Sequence, residues 1–582
     1  MGIGPEPLRG LAYGRYGCIQ LAIGSGRCKD NPRRCPNVEQ VPAMPKEILR
    51  TRVLIVGAGP VGLALAADLG WRGIPCTIIE QSDGVIHHPR ATAVNARSME
   101  FFRRWGITDL VRKAGTPPDF PHTVLFVTSL QGFEIARIER PGHGGIRPTE
   151  TSPERPQRCN QLWLDPILRD LATGFSCVTL RYRWRFESFV EDQEGIVATV
   201  HDLGTDEVRT ITADYLVDCS GGHSTLRQSL GIEMRGSPDI DYNLSIFVRA
   251  PDLWKYHDKG KAALIHFIAA QGPRRNLVLL DGRELWRFGV TGKEFYDDPE
   301  RVDANRLFDE VAGEETPREI ISVRRWSARD VVADRYRLGR VFLAGDAAHL
   351  NHPDGGFGLN TGLGDIADLG WKLSAALEGW GGSLLLDSYE SERRPVGLRN
   401  VRQAEENLQI KKRRQIESTI GDSTTEGAEV RHRMRTAILR DSTRNYVTDG
   451  TALGYTYDPS PICWGDGSPP TADTITEYRP SSRPGSRAPH AWLADGRSTL
   501  DLFGSGFTLL RFGDDPPAAD SIVAAFARRG MPLSEDRIQE RNVRSLYERS
   551  VVLVRPDGHV AWRSDDLPDD PLALADRVRG AG

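Results

Sequence analysis

Arg52-Val-Leu-Ile-Val-Gly-Ala-Gly-Pro-Val-Gly62 decides how the rest of the chain is read. Val53 to Val56 is a short β-branched, apolar run, the composition of a parallel strand covered on both faces. Gly57 to Gly62 then fits G-x-G-x-x-G. In that pattern Gly57 permits the tight turn, Gly59 lets a pyrophosphate approach the backbone, and Gly62 lets the helix pack on the strand. Pro60 suits the first helical turn, where its missing N–H costs little. A second strand, Cys76 to Ile79, ends at Glu80, 23 residues after Gly57. A ribose-binding carboxylate belongs about there. Phosphates would sit at the helix N-terminus, where free N–H groups and the dipole favour anions. Glycines alone fit an ordinary strand–turn–helix. The strand, helix and acid together say dinucleotide, without separating FAD from NAD.

Around this stretch lie 582 residues, enough for about three or four domains. Hydrophobic content of 39% and charged content of 26% are those of a globular protein. A net charge of −4 leaves no footprint for nucleic acid or an anionic membrane. No apolar run reaches the roughly 18 residues needed to span a bilayer. Eight cysteines are scattered without a C-x-x-C, so neither a zinc site nor a redox dithiol is expected and the cytoplasm is the default compartment. Residues 1–46 are rich in Gly, Pro, Arg and Cys and lack periodicity. They read as a disordered extension, with Met44 a plausible start just before the first strand.

Further along, Asp214 to Asp218 returns as a buried strand and leads to Cys219-Ser220-Gly221-Gly222-His223-Ser224-Thr225-Leu226-Arg227. Leu244–Val248, Ala263–Ile268, Leu277–Leu280 and Trp286–Val290 alternate as an inserted antiparallel sheet would. Arg340 to His349 carries a third buried strand ending in Gly345-Asp346. The loop His352-Pro-Asp-Gly-Gly-Phe-Gly-Leu-Asn360 follows, then a helix with Ile366, Leu369, Leu373 and Leu377 on one face. Leu385 to Arg440 reads as helices and Thr451 to Arg487 as loop. A small α/β unit closes the chain, with strands Phe507–Phe512 and Val551–Val554 around a helix near Ser521–Arg529.

The glycine turn, the Asp218–Arg227 segment and the Gly345-Asp346 loop together resemble the single-component flavoprotein aromatic hydroxylases, the p-hydroxybenzoate hydroxylase and phenol hydroxylase family. The resemblance covers roughly residues 49–440, and the tail resembles the thioredoxin-like domain of the phenol hydroxylase branch. It implies an α/β fold: a discontinuous Rossmann-like FAD-binding domain (47–235 and 320–400), a substrate-binding sheet domain (236–319), a helical and loop linker (401–487) and a thioredoxin-like domain without C-x-x-C (488–582).

The resemblance assigns FAD to the first motif, with Gly57, Gly59, Pro60 and Gly62 at the phosphates and Glu80 at the adenosine ribose. Arg90 and Gln161 match positions near the pyrophosphate and ribityl chain. Gly345 and Asp346 reach the ribityl hydroxyls, and Pro353 lies against the flavin ring. Gly356, Gly358, Leu359 and Asn360 offer backbone N–H groups to its pyrimidine edge. Reduced flavin is anionic there, so fixed donors at a helix N-terminus stabilise it without reorganisation.

The function so implied is NAD(P)H- and O2-dependent hydroxylation of a phenolic or polycyclic aromatic through a flavin C4a-hydroperoxide. The same scaffold can serve Baeyer–Villiger or epoxidation chemistry. One departure opens a third reading: the family's Asp-Gly is Ser220-Gly221 here, and a flavin-bearing aromatic binder with impaired NAD(P)H reduction would look the same. His352, Tyr242 and His266 are the candidates for a base, and a polar loop or core role fits each as well. The tail's use is structural or dimer-forming, which leaves a homodimer open.

Overall fold

Three neighbouring strands end in one row, with Val56 paired to Asp218 and Asp218 to Leu343. The chain leaves these ends as Gly57, Ser220 and Gly345, so motifs far apart in sequence open at one edge of one sheet. Ligands of open parallel sheets bind at such carboxyl ends. These relations come from a computed structural model. It describes residues 48–581 except 143, 145–148, 273 and 299–301; the expectation for residues 1–46 lies outside that range.

The sheet has six strands in the order Arg337–Leu338, Val341–Leu343, Tyr215–Asp218, Val53–Val56, Cys76–Glu80, Val178–Tyr182. All but the Arg337–Leu338 edge pair in parallel. Helices Pro60–Trp71, Gln161–Thr173 and Gly358–Glu378 contribute to the apolar core around it. A small sheet holding Trp184–Glu191, Ile196–Asp202 and Glu207–Ala213 packs with Leu54, Val56 and Ile79. With both faces covered, the apolar runs of Val53–Val56 and Val341–Leu343 follow.

A second sheet has eight strands in the order His349–Leu350, Glu319–Ala333, Met234–Arg249, Leu285–Thr291, Arg274–Leu279, Leu264–Phe267, Val124–Val127, Glu134–Ile138. It is wider than the inserted segment 236–319, because strands from 124–138 and 319–333 join its edges. One face carries Leu244, Ile246, Val248, Leu277, Phe288 and Val290 into a core with Phe308. Strand alternation turns Asn243, Ser245, Asn276, Arg287 and His266 to the other face.

The tail forms a four-stranded sheet, Leu533–Ile538, Phe507–Phe512, Val551–Val554, Val560–Ser564. Helix Gly358–Glu378 differs from its sequence reading: it is buried from Leu359 to Ser374 on every side, not one face. The tail covers its polar side. Arg555 donates to Asp368 (2.9 Å) and Glu392 (2.7 Å), and Lys372 bridges the same two carboxylates at 2.7 and 2.6 Å. Buried charges need such partners. Among the described residues no helix is long and apolar enough to cross a membrane.

Candidate functional site

The glycine turn is shaped by contact on one side and space on the other. A methyl group on Gly57 would lie 2.5 Å from the Cys219 carbonyl oxygen, and one on Gly62 would lie 2.0 Å from that of Gly57. Gly57 also has φ +101°, a left-handed value that disfavours a side chain. A methyl on Gly59 would meet nothing within 4 Å. Gly59 is the N-cap of Pro60–Trp71 and has no side-chain cap, so the helix end faces open space with its donors free. Glu80 reaches back to this turn: Oε2 accepts the Ala58 N–H (3.0 Å) and Oε1 the Ser82 N–H (2.8 Å).

Gly345 brings the third motif onto the first, since a methyl there would sit 2.9 Å from Val61 Cγ2. Its N–H donates to Asp365 Oδ2 (3.1 Å), which also bonds His349 Nε2 (2.7 Å), while Arg393 Nε donates to Asp365 Oδ1 (2.9 Å). Next in the chain, Asp346 is exposed to solvent, with many protein groups around it. Burial raises its pKa against the pull of His349 and Arg90. Arg90 is exposed as well. Gln161 begins Gln161–Thr173, and its buried Oε1 has no partner; one turn on, Asp165 Oδ1 has none either. Burial lifts Asp165 to about 7, with Arg90 opposing.

Pro353 is exposed, and Gly355 and Gly356 turn the loop with φ +101° and +68°. Gly358 and Leu359 then open the helix, again without a side-chain cap. Asn360 stitches this end to the start of helix Ala96–Arg104. Its Oδ1 accepts the Asn95 N–H (2.8 Å) and Ser98 Oγ–H (2.7 Å), and its Nδ2 donates to Ala93 (3.0 Å) and Gly356 (2.7 Å).

The segment after the second strand answers the Ser220 departure. The strand stops at Asp218, and its carboxylate turns toward the loop. Oδ1 accepts both the N–H (3.0 Å) and Oγ–H (2.6 Å) of Ser220, and Oδ2 accepts Ser224 Oγ–H. Ser224 Oγ in turn caps the next helix at the Arg227 N–H (2.8 Å).

Of the base candidates, two are badly placed. His352 Nε2 lies 3.3 Å from Asp241 and Nδ1 3.4 Å from Asp354. Burial works against its charge, but these carboxylates outweigh it and raise its pKa. Held between two carboxylates, it is badly placed to take a proton from a substrate. Tyr242 points to the far face of its strand, beside Tyr296 (5.0 Å) and Lys293 (5.2 Å). His266 does face the inner side. It bonds Tyr446 Oη (2.8 Å), stacks on Phe126 (5.0 Å), and burial brings it down to about 3, so it is neutral.

Sequence reasoning missed the groups around His266. Arg158 stands on a two-residue strand paired with Ala93, beside the Gly356 turn. Arg287 projects from Leu285–Thr291. Both are half-buried. Burial lowers each to about 10, and Arg140 and Arg287 repel Arg158. Neither has a side-chain hydrogen bond or ion pair among the described residues, and Arg158 Nε is a buried orphan. Asn243 Nδ2 and Asn276 Oδ1 are orphans on the same sheet face. His88 sits between Ser322 Oγ and Ser245 Oγ, each at 2.8 Å. Burial, then Arg324, Arg287 and Arg90, bring it down to about 4.

Free helix ends, an orphaned Gln161 oxygen and an open Gly59 fit a dinucleotide with a polyhydroxyl chain. Residues 50–404 match the family described as FAD binding domain, and residues 481–581 match the aromatic-ring hydroxylase C-terminal family. The chain belongs to the FAD-dependent aromatic-ring hydroxylases. It is an FAD-dependent aromatic monooxygenase, and NAD(P)H is the family's typical co-substrate. It is similar to the tetracenomycin B2 monooxygenase-dioxygenase of Streptomyces olivaceus, 34% identical over 558 residues, covering 90% of this chain and 97% of that protein. Phenol 2-monooxygenase of Pseudomonas sp. (strain EST1001) is 30% identical, covering 92% of this chain and 93% of the relative. Among solved structures, chromopyrrolic acid-soaked RebC with bound 7-carboxy-K252c superposes with TM-score 0.87 at 40% identity, over 92% of this chain and 100% of that one. The flavin-dependent monooxygenase PieE, in complex with FAD and substrate, gives 0.83 at 31%, over 92% and 100%.

Proposed function

We propose that this hydroxylase acts on a polycyclic aromatic that carries a carboxylate, bound between the flavin loop and the inner face of the eight-stranded sheet. One observation carries the reading: Arg158 and Arg287 stand together in the protein without a counter-ion. An unpaired, partly desolvated guanidinium is costly, and a second beside it more so. A carboxylate satisfies both through forked, charge-assisted bonds. Asn243 Nδ2 and Asn276 Oδ1 offer further donor and acceptor positions to polar ring substituents. The carboxylated ligand named for RebC supports the same substrate class.

FAD, when bound, supplies hydride acceptance from NAD(P)H and oxygen activation. The chain supplies the frame. The N–H groups after Gly59 hold the phosphates, with Gly57, Pro60 and Gly62 shaping the turn, and Glu80 takes the ribose hydroxyls. Arg90, Gln161, Gly345 and Asp346 hold the pyrophosphate and ribityl chain. Pro353, Gly356, Gly358, Leu359 and Asn360 line the ring's edge. Neutral His266, bonded to Tyr446, would accept a hydrogen bond from a substrate hydroxyl and orient it, while at about 3 it is too weak a base to keep the proton. The two arginines fix the ring system against the flavin and exclude water around it.

Ligand-stimulated NAD(P)H oxidation tests this reading. Carboxylated polycyclic phenols should stimulate oxidation and be hydroxylated, and Arg287→Gln should raise KM for them more than it lowers kcat. Equal stimulation by the matching methyl esters would refute the carboxylate.

A further inference from the structure

A second cluster of arginines lies away from the flavin, where helix Ala96–Arg104 meets the tail. A cleft of about 300 Å³ is lined there by Trp71, Phe101 and Phe503 on its apolar side and by Arg97, Arg103 and Arg104 on its polar side. That volume is at the small end of organic-ligand pockets.

The carboxylates around this cleft are already engaged. Glu100 serves two arginines: Arg97 Nη1 donates to it at 2.9 Å, and Arg487 Nε at 3.0 Å with Nη2 at 2.5 Å. Asp501, also on the cleft, is held by Arg103 at 2.6 and 2.8 Å. Asp557 turns its carboxylate to Arg555 (2.7 Å) and the His559 N–H (3.0 Å). Arg104 has only the Pro556 carbonyl oxygen, at 2.7 Å, and no carboxylate among the described residues. Burial, then the nearby Arg72, bring it down to about 10, against the longer-range pull of Asp68 and Asp557. Arg97 Nη2 also donates to the Asp557 carbonyl oxygen (2.8 Å), while its Nε is a buried orphan. Two of these guanidinium groups also converge: a methyl placed on Gly558 would stand 3.7 Å from both Arg104 Nη2 and Arg97 Nη2.

We propose that this cleft is an anion site for the phosphate group of a nucleotide, with Arg104 as its principal donor, Arg97 Nη2 beside it, and Trp71 and Phe503 flanking the apolar part. Two guanidinium groups whose Nη2 atoms meet at one point match the charge of a phosphate dianion, and its three oxygens can accept from both. The aromatic walls suit a base. The reaction itself brings one such nucleotide, the adenosine end of the reduced coenzyme; free phosphate shares the anion chemistry. The site is independent of the substrate reading above.

Calorimetric titration of the FAD-loaded full chain with 2′-AMP, 5′-AMP and inorganic phosphate, at constant ionic strength, tests it. Nucleotide binding is expected, weakened about tenfold or more in Arg104→Gln by loss of a charge-assisted bond. A parallel rise in KM for NADPH but not NADH would identify the coenzyme's 2′-phosphate as the source. Phosphate binding as tightly as either nucleotide would make the site one for the free anion and overturn the nucleotide. No binding by any probe at about 10 mM, a concentration that detects even millimolar affinities, would overturn the site, as would equal binding by Arg104→Gln. Should that variant fail to fold, arginine modification of the wild-type holoenzyme by phenylglyoxal, mapped by mass spectrometry, decides: 2′-AMP must protect Arg104, and unchanged labelling refutes the proposal.

Discussion

The Asp218 carboxylate accepts both the N–H (3.0 Å) and the hydroxyl (2.6 Å) of Ser220. An acidic group therefore organises this turn although the motif's own acid is replaced by serine. Asp218 is buried, and its bonds to Ser220 and Ser224 offset the burial that raises its pKa. Asp218→Asn should leave Ser224 Oγ facing an amide and cost about 1–3 kcal/mol of stability, read by urea denaturation. Ser220→Asp sets a second carboxylate beside the first and should destabilise more than Ser220→Ala.

Two glycines of one motif should separate fold from ligand. Gly59→Ala adds a methyl into open space, so the apoprotein should melt as the wild type does while FAD affinity falls. Gly62→Ala drives a methyl to 2.0 Å from the Gly57 carbonyl oxygen and should lower the apoprotein's melting temperature. Equal behaviour of the two in both assays would dissolve the distinction.

Asp346→Ala should lower the flavin content per polypeptide of the purified protein, and added FAD should restore it only at higher concentration. Asp346 is exposed, so the apoprotein's stability should barely change. Unchanged flavin content would remove its role with the ribityl chain.

These glycine and aspartate positions were legible because their meaning is local: a strand, a turn and a helix end lie within a dozen residues. Arg158 and Arg287 were not, since a lone arginine carries no pattern. Only the fold brings Arg158 within electrostatic reach of Arg287 on the Leu285–Thr291 strand. The strand Leu533–Ile538 was missed because Ser534, Glu535, Asp536 and Arg537 break any apolar alternation along a sheet edge. The all-round burial of Gly358–Glu378 was hidden too, because its polar face is covered by Arg555, nearly two hundred residues later.

His352 ties the flavin loop to the sheet through Asp354 and Asp241. Its folded pKa is raised above 6.5. The stability it contributes is therefore full below about pH 6.5 and is lost as pH rises through the folded pKa. His352→Gln should be less stable than the wild type at pH 6, with the gap narrowing toward alkaline pH in thermal melts. The buried neutral histidines His88 and His266 act in the opposite sense at acid pH and are common to both proteins, so the difference isolates His352.

The carboxylate reading of the cavity is tested most directly by spectral titration of the oxidised holoenzyme with a polycyclic aromatic acid and its methyl ester. The acid is expected to perturb the flavin spectrum and bind about tenfold or more tightly than the ester, and Arg158→Gln or Arg287→Gln should erase that margin. Acid and ester binding alike, or a margin that survives loss of both arginines, would contradict the account.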